Sequence, residues 1–222
     1  MRFALAATAL VAALVAPAGE VDDFEQPLQA HWLVSRPPAA RVIDSQDPAH
    51  GHVLSLEPDG DDAYVLRKGS EEWPGGVLEA DVRFPTDTDS YLGLVYGFRR
   101  AAGRTDFGVL YIKGNESYAQ ANPHYDFNVS RTLYPEYRAA LTGRAAIRAG
   151  VWQHVRLEAA AGRADLYVGD MTVPQLTFPF FDTRGAVGLQ PRSVGASVEV
   201  DNVRTGPLAT LSYAGLPRPG VQ

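Results

Sequence analysis

The sequence predicts an all-β protein, and three observations carry that prediction. Short β-type runs follow one another between Gly, Pro and Asp residues, no run has the apolar period of an amphipathic helix, and several runs alternate apolar and polar residues with period two. About ten to twelve strands at this spacing make a sandwich or a barrel.

Residues 1–18 stand apart from that pattern. Met1-Arg2 supplies a positive start, Phe3 to Val15 is apolar, and Ala16-Pro17-Ala18 has the small-x-small form of a cleavage site. That is the pattern of a secretory signal peptide, too short for a transmembrane helix, and it predicts a secreted or periplasmic protein. No cysteine follows to take a lipid, and no later run is long and apolar enough to span a bilayer, so membrane insertion is not expected. Residues 19–206 are expected to form one sandwich domain, and residues 207–222, rich in Pro and Gly, a flexible tail.

Composition narrows the partners. The chain has 26 acidic and 20 basic residues, a net charge of −6, which argues against nucleic acid and anionic membranes. It has no cysteine, so thiol catalysis and cysteine-ligated metals are excluded and the core must hold without disulfides. Arginine outnumbers lysine 18 to 2, the bias of a GC-rich bacterial genome, which makes the sequons Asn115-Glu116-Ser117 and Asn128-Val129-Ser130 incidental.

Along the chain, Val53 to Leu56 and Ala63 to Leu66 read as short strands around the turn Pro58-Asp59-Gly60-Asp61. From Val77 to Phe84, Leu78, Ala80, Val82 and Phe84 alternate with Glu79, Asp81 and Arg83, which predicts a half-buried strand. Leu92 to Phe98 and Phe107 to Ile112 make a hairpin signal around Arg100 to Arg104. A strand through 124–130 would put His124, Asp126 and Asn128 on one face and Tyr125, Phe127 and Val129 on the other. Residues 131–148 are the least regular, with a short helical turn at Tyr137 to Leu141. Val151 to Leu157 and Leu166 to Val168 form a second hairpin signal around Ala161-Gly162-Arg163, and Ala186 to Leu189 and Val198 to Val203 close the set.

Several of these pieces resemble the concanavalin A-like lectins and glucanases, the laminin-G-like jelly rolls. Asp22-Asp23-Phe24-Glu25 with Trp32 resembles their first strand. Val77-Leu78-Glu79-Ala80-Asp81-Val82-Arg83 and Gly150-Val151-Trp152-Gln153-His154-Val155-Arg156-Leu157-Glu158 resemble two internal strands. Gly185-Ala186-Val187-Gly188-Leu189 and Val200-Asp201-Asn202-Val203 resemble the two closing strands. The resemblance extends to the secreted bacterial domains known as 3-keto-disaccharide hydrolases. It implies a two-sheet antiparallel jelly-roll sandwich and carbohydrate as the partner. The paired glycines at 185 and 188 would allow close chain approach. Asp201-Asn202 would either satisfy backbone groups at a sheet edge or, with first-strand carboxylates, hold a structural calcium ion, while no other cofactor is required.

The richest candidate segment is 114–141. Polar groups beside aromatic rings suit sugars, because ring faces stack on CH faces and amides or guanidinium groups take hydroxyls. Tyr118, Tyr134 and Tyr137 are the candidate stacking surface, with Asn115, Asn128 and Arg131 for the hydroxyls. Asp126 serves that role or joins His124 and Glu136 as candidate catalytic groups, with Glu116 also flanking the segment. Glu79 and Asp81 form part of the Glu-x-Asp-x-Glu strand of glucanases of this fold, but Arg83 replaces the third carboxylate, which favours a solvated strand face neutralised by Arg83. His50-x-His52 reads as a surface pair and no metal-ligand grouping is present. Three functions are expected in turn: a carbohydrate-binding domain contacting glycan through 114–141, a glycoside hydrolase or lyase of the same fold, and an adhesion or assembly module binding a protein partner.

Overall fold

The computed structural model describes residues 21–57, 63–86, 90–101, 104–114, 118–124, 141–144, 147–160, 163–178, 184–193 and 196–208. The candidate signal peptide, the tail beyond 208 and most of the segment 114–141 lie outside them.

Among the described residues, fifteen strands form two sheets, with one four-residue helix, α1 (Leu28–His31), and one 3-10 turn, Pro37–Ala39. The strands are β1 (Val21–Asp22), β2 (Trp32–Val34), β3 (Ala40–Asp44), β4 (His52–Leu56), β5 (Val65–Arg67), β6 (Gly76–Arg83), β7 (Ser90–Ala101) and β8 (Arg104–Lys113). They continue with β9 (Tyr118–His124), β10 (Leu141–Arg144), β11 (Gln153–Ala160), β12 (Arg163–Val168), β13 (Leu176–Phe178), β14 (Ala186–Ser193) and β15 (Val198–Gly206). Sheet I runs β13-β12-β11-β6-β15-β4-β3, with β1 also on β15, and sheet II runs β10-β9-β8-β7-β14-β5-β2. Every pairing is antiparallel.

The core lies between the sheets. Leu78, Ala80 and Val82 of β6, Val155 and Leu157 of β11, Leu166 of β12 and Val200 of β15 meet Leu92 and Leu94 of β7, Leu110 and Ile112 of β8, and Leu189 of β14. Both predicted hairpins form, β7–β8 and β11–β12, with Ala101 opposite Arg104 and Ala160 opposite Arg163. The runs around 58–61 are not a hairpin: β4 belongs to sheet I and β5 to sheet II, so the chain there crosses the sandwich.

Close packing explains the glycines. Gly185 has φ +142, and a Cβ there would lie 2.6 Å from the Gly97 carbonyl carbon; at Gly188 a Cβ would lie 2.2 Å from the Val65 carbonyl oxygen. Neither obstacle is a side chain that can turn away, so β14 reaches its neighbours only with glycine at these positions.

At three places the strands differ from or extend the sequence reading. Val151, the expected start of a strand, is 48% exposed and lies before β11, which begins at Gln153. A strand that sequence reading did not find runs through 118–124, while residues 125–130 of the expected strand lie outside the described residues; Ala119, Gln120 and Ala121 carry little β-propensity, and pairing with β8 and β10 imposes the extended backbone. Residue 141 opens a strand rather than ending a helical turn.

Candidate functional site

The face of β6 opposite the core is not solvated. Glu79 is 3% exposed. Its Oε1 lies 3.9 Å from Arg156 Nη1 and 4.0 Å from His154 Nε2. Asp81 accepts from His154 Nδ1 at 2.8 Å and from the Asn202 amide at 2.9 Å. Arg83 turns away from both and donates through Nε to Glu199 at 2.6 Å. Flanking strands explain the burial, since β11 and β15 bring their own off-core residues beside those of β6.

The network shifts its titrating groups. Burial opposes a charge on His154, but the Asp81 carboxylate and then Glu79 outweigh it and hold the imidazole up to about 9. Burial likewise pushes Asp81 up, yet hydrogen bonds from His154 and Asn202 prevail and lower it. Asp201 is raised, because burial outweighs its bonds from His50 and the Asn202 backbone.

His50 belongs to the same face and is not a surface accident. Its Nδ1 lies 2.7 Å from Asp201 Oδ2, and its ring stacks on Trp152 with centroids 3.9 Å apart. His52, by contrast, is exposed and bonded to Glu25 at 2.8 Å. Glu79 and Asp81 are therefore committed to neighbouring cations and amides, not poised as a nucleophile and acid.

The calcium expectation meets the same obstacle. Asp201 takes its bonds from His50 and Asn202, while first-strand Asp22 accepts from Trp32 Nε1 at 2.6 Å and Arg67 at 3.1 Å. Among the described residues no group of three or more His, Asp and Glu is placed to hold a metal ion.

The outer face of sheet II differs in kind. Tyr64, Val95, Phe107, Val109 and Tyr111 form a second buried cluster, 0–4% exposed, on the side of sheet II away from the first, with partly buried Leu66, Tyr91 and Phe98 packed against it. Period-two alternation produces it: Leu92 and Leu94 point inward, so Tyr91, Gly93 and Val95 take the other face. Tyr64 packs on Phe98 and Phe107 at 5.0 and 5.4 Å, and Tyr91 meets Tyr111 edge-on at 6.1 Å.

Register arranges this face in rows. Arg192, Tyr91 and Lys113 stand side by side across β14, β7 and β8. The next row is Gln190, Gly93, Tyr111 and Gln120. A Cβ at Gly93 would lie 2.8 Å from the Tyr111 ring. Glycine there lets that ring lie across the strand, where the Tyr111 hydroxyl donates to Gln190 Oε1. Lys113 Nζ sits 5.0 Å over the Tyr91 ring, and the Arg192 guanidinium 5.7 Å over Tyr111.

Two predicted site residues lie on β9 of sheet II. In the backbone register His124 stands opposite Phe107, and Tyr118 opposite Arg144. Asn115, Asp126, Asn128, Arg131, Tyr134, Glu136 and Tyr137 lie outside the described residues. Sequence reasoning missed Tyr64, Tyr91, Tyr111, Lys113, Gln190 and Arg192. The signal was present in the aromatic residues at the off-core positions of β7 and β8.

No protein-family model matches the chain, and no curated protein matches it in sequence. Solved structures do match in fold. The laminarinase from Rhodothermus marinus aligns with TM-score 0.60 at 15% identity, over 86% of this chain and 96% of that one. The β-glucanase from Bacillus licheniformis gives 0.57 at 10% identity, over 85% and 98%. The carbohydrate-binding module CBM66 from Bacillus subtilis gives 0.55 at 15% identity, over 79% and 96%. All three are concanavalin A-like jelly rolls, and that is the fold of this chain.

Proposed function

We propose that this concanavalin A-like jelly roll is a secreted carbohydrate-binding domain that takes glycan on the outer face of sheet II. The observation that carries it is the half-buried Tyr91 ring, backed by the buried aromatic cluster of that side, with half-buried Arg192 opposite it in register. Tyr91, half-buried, offers ring surface to the CH face of a sugar, and the half-buried Arg192 beside it supplies N–H donors for its oxygens. The described parts of this stretch, β9 and β10, belong to sheet II. Asn115, Tyr118, Asn128, Arg131, Tyr134 and Tyr137 are proposed as further ligand-binding residues. The fold-level likeness to a carbohydrate-binding module and to two glucan-active enzymes supports sugar as the partner class. No helix among the described residues is long and apolar enough to cross a membrane.

Calorimetry of the purified protein against a polysaccharide panel tests the proposal. Saturable binding should weaken about tenfold or more in Tyr91→Ala at an unchanged melting temperature. Undiminished binding by that variant, or retention of a protein partner in place of any glycan, would overturn it. Mass spectrometry of the same mixtures reads catalysis: new small sugars that disappear in Glu136→Gln, Asp126→Asn or His124→Gln would make the domain a hydrolase or lyase.

A further inference from the structure

Half-burial leaves only part of the Tyr91 ring to a ligand, and two neighbours decide which part. Lys113 stands directly opposite Tyr91 in the β7–β8 register. It is 5% exposed, a burial that lysine almost never shows unless it is paired, and its Nζ lies 5.0 Å over the centre of the Tyr91 ring. Because Lys113 is buried, the side of the ring that it occupies is closed to a ligand. A sugar therefore meets the ring away from Lys113.

Tyr111 bounds the same ring edge-on, with centroids 6.1 Å apart and planes at 81°. It is itself fixed three ways. Its hydroxyl donates to Gln190 Oε1, the Arg192 guanidinium lies 5.7 Å over its ring, and Gly93 leaves the space that the ring fills. A desolvated cation–π contact restrains a ring more strongly than an edge-on ring pair does, so Lys113 is the main hold on the plane of Tyr91. It is not a source of attraction for a sugar. An ammonium on one side of a ring draws π density towards itself and leaves less for CH groups stacked on the other.

Resting on the glycan-binding proposal, we infer that Lys113, assisted by Tyr111, is a positioning residue: it sets the plane of the Tyr91 ring on which the sugar stacks and touches no sugar itself. Packing against the ring, and not charge, is then the property that matters at position 113. Methionine separates the two, because its unbranched side chain packs a sulfur against an aromatic ring at about 5 Å and carries no charge.

Affinity electrophoresis of the full protein in gels containing a neutral β-glucan, xylan or polygalacturonate tests this, with thermal melts to check that each variant is folded. On the polymer that retards the parent most, Lys113→Ala should weaken retention about tenfold, and Lys113→Met should recover it to within about threefold of the parent. Equal losses in Lys113→Ala and Lys113→Met would mean that the ligand reads the charge directly, and would overturn the inference. Should Lys113→Ala fail to fold, Tyr111 gives the same comparison. Tyr111→Leu should weaken retention more than Tyr111→Phe, which keeps the ring edge, and equal retention by those two would overturn the inference. Undiminished retention by Lys113→Ala, where Tyr91→Ala has lost the polymer, would overturn the positioning role alone. Undiminished retention by Tyr91→Ala, or no retention of the parent by any polymer, would overturn the glycan site and the positioning role together.

Discussion

His154 and Asp81 stand directly opposite each other in the β11–β6 register and are joined by a 2.8 Å hydrogen bond from Nδ1 to Oδ1. The bond lies across the centre of sheet I and connects two strands whose opposite sides fill the core. Its consequence is for stability and pH, since both partners are tied to flanking side chains.

The sign for each partner follows from linkage. His154 is raised from 6.5 to about 9, so its contribution is full below 6.5 and lost as pH rises through 9. Asp81 is lowered from 3.8, so its contribution is present above 3.8 and lost as pH falls through the folded value. Thermal melts should show His154→Gln less stable than the parent by about 2 kcal/mol near pH 6, with the gap closing towards pH 10. A gap that stays constant over that range would mean that the imidazole carries no charge.

A second test concerns the buried carboxylate at the start of the fold. Asp22 accepts from Trp32 Nε1, Arg67 and the Phe24 backbone, and Arg67 also lies 5.4 Å over the Trp32 ring. Trp32→Phe removes one donor from a group that cannot reach bulk water. Urea denaturation should register a loss of about 1–3 kcal/mol. An unchanged midpoint would show that Arg67 alone satisfies the carboxylate.

Glycine substitutions separate backbone contact from backbone conformation. Gly188→Ala drives a Cβ into the Val65 carbonyl oxygen, and a loss of about 3 kcal/mol or more is expected. Gly69→Ala meets nothing within 4 Å but keeps φ +75, so about 1 kcal/mol should be lost. Equal effects in chemical denaturation would refute the close approach of β14 and β5.

Much of the sandwich was legible in the sequence because its strands carry contrast. In β6, apolar Leu78, Ala80 and Val82 alternate with charged neighbours, and the period and the core face could both be read. β9 had no such contrast, with Ala119, Ala121 and Pro123 between polar residues, and sequence reading did not find it. β7 and β8 were recognised as a hairpin, yet their second face was not. Tyr91, Val95, Phe107, Val109 and Tyr111 are as apolar as the core residues between them and mostly buried as well, so periodicity could not show that these strands carry a second packed face.

Local chemistry along the chain determined the all-β class and the two hairpins, because alternation and turn residues are properties of neighbours in sequence. Tertiary structure decided which polar residues meet. Glu79 and Asp81 acquire His154, Arg156 and Asn202 from strands more than seventy residues away, and Arg192, Tyr91 and Lys113 become one row only when β14, β7 and β8 pair. Cross-strand register sets those contacts, and register depends on how the whole sandwich closes over its core.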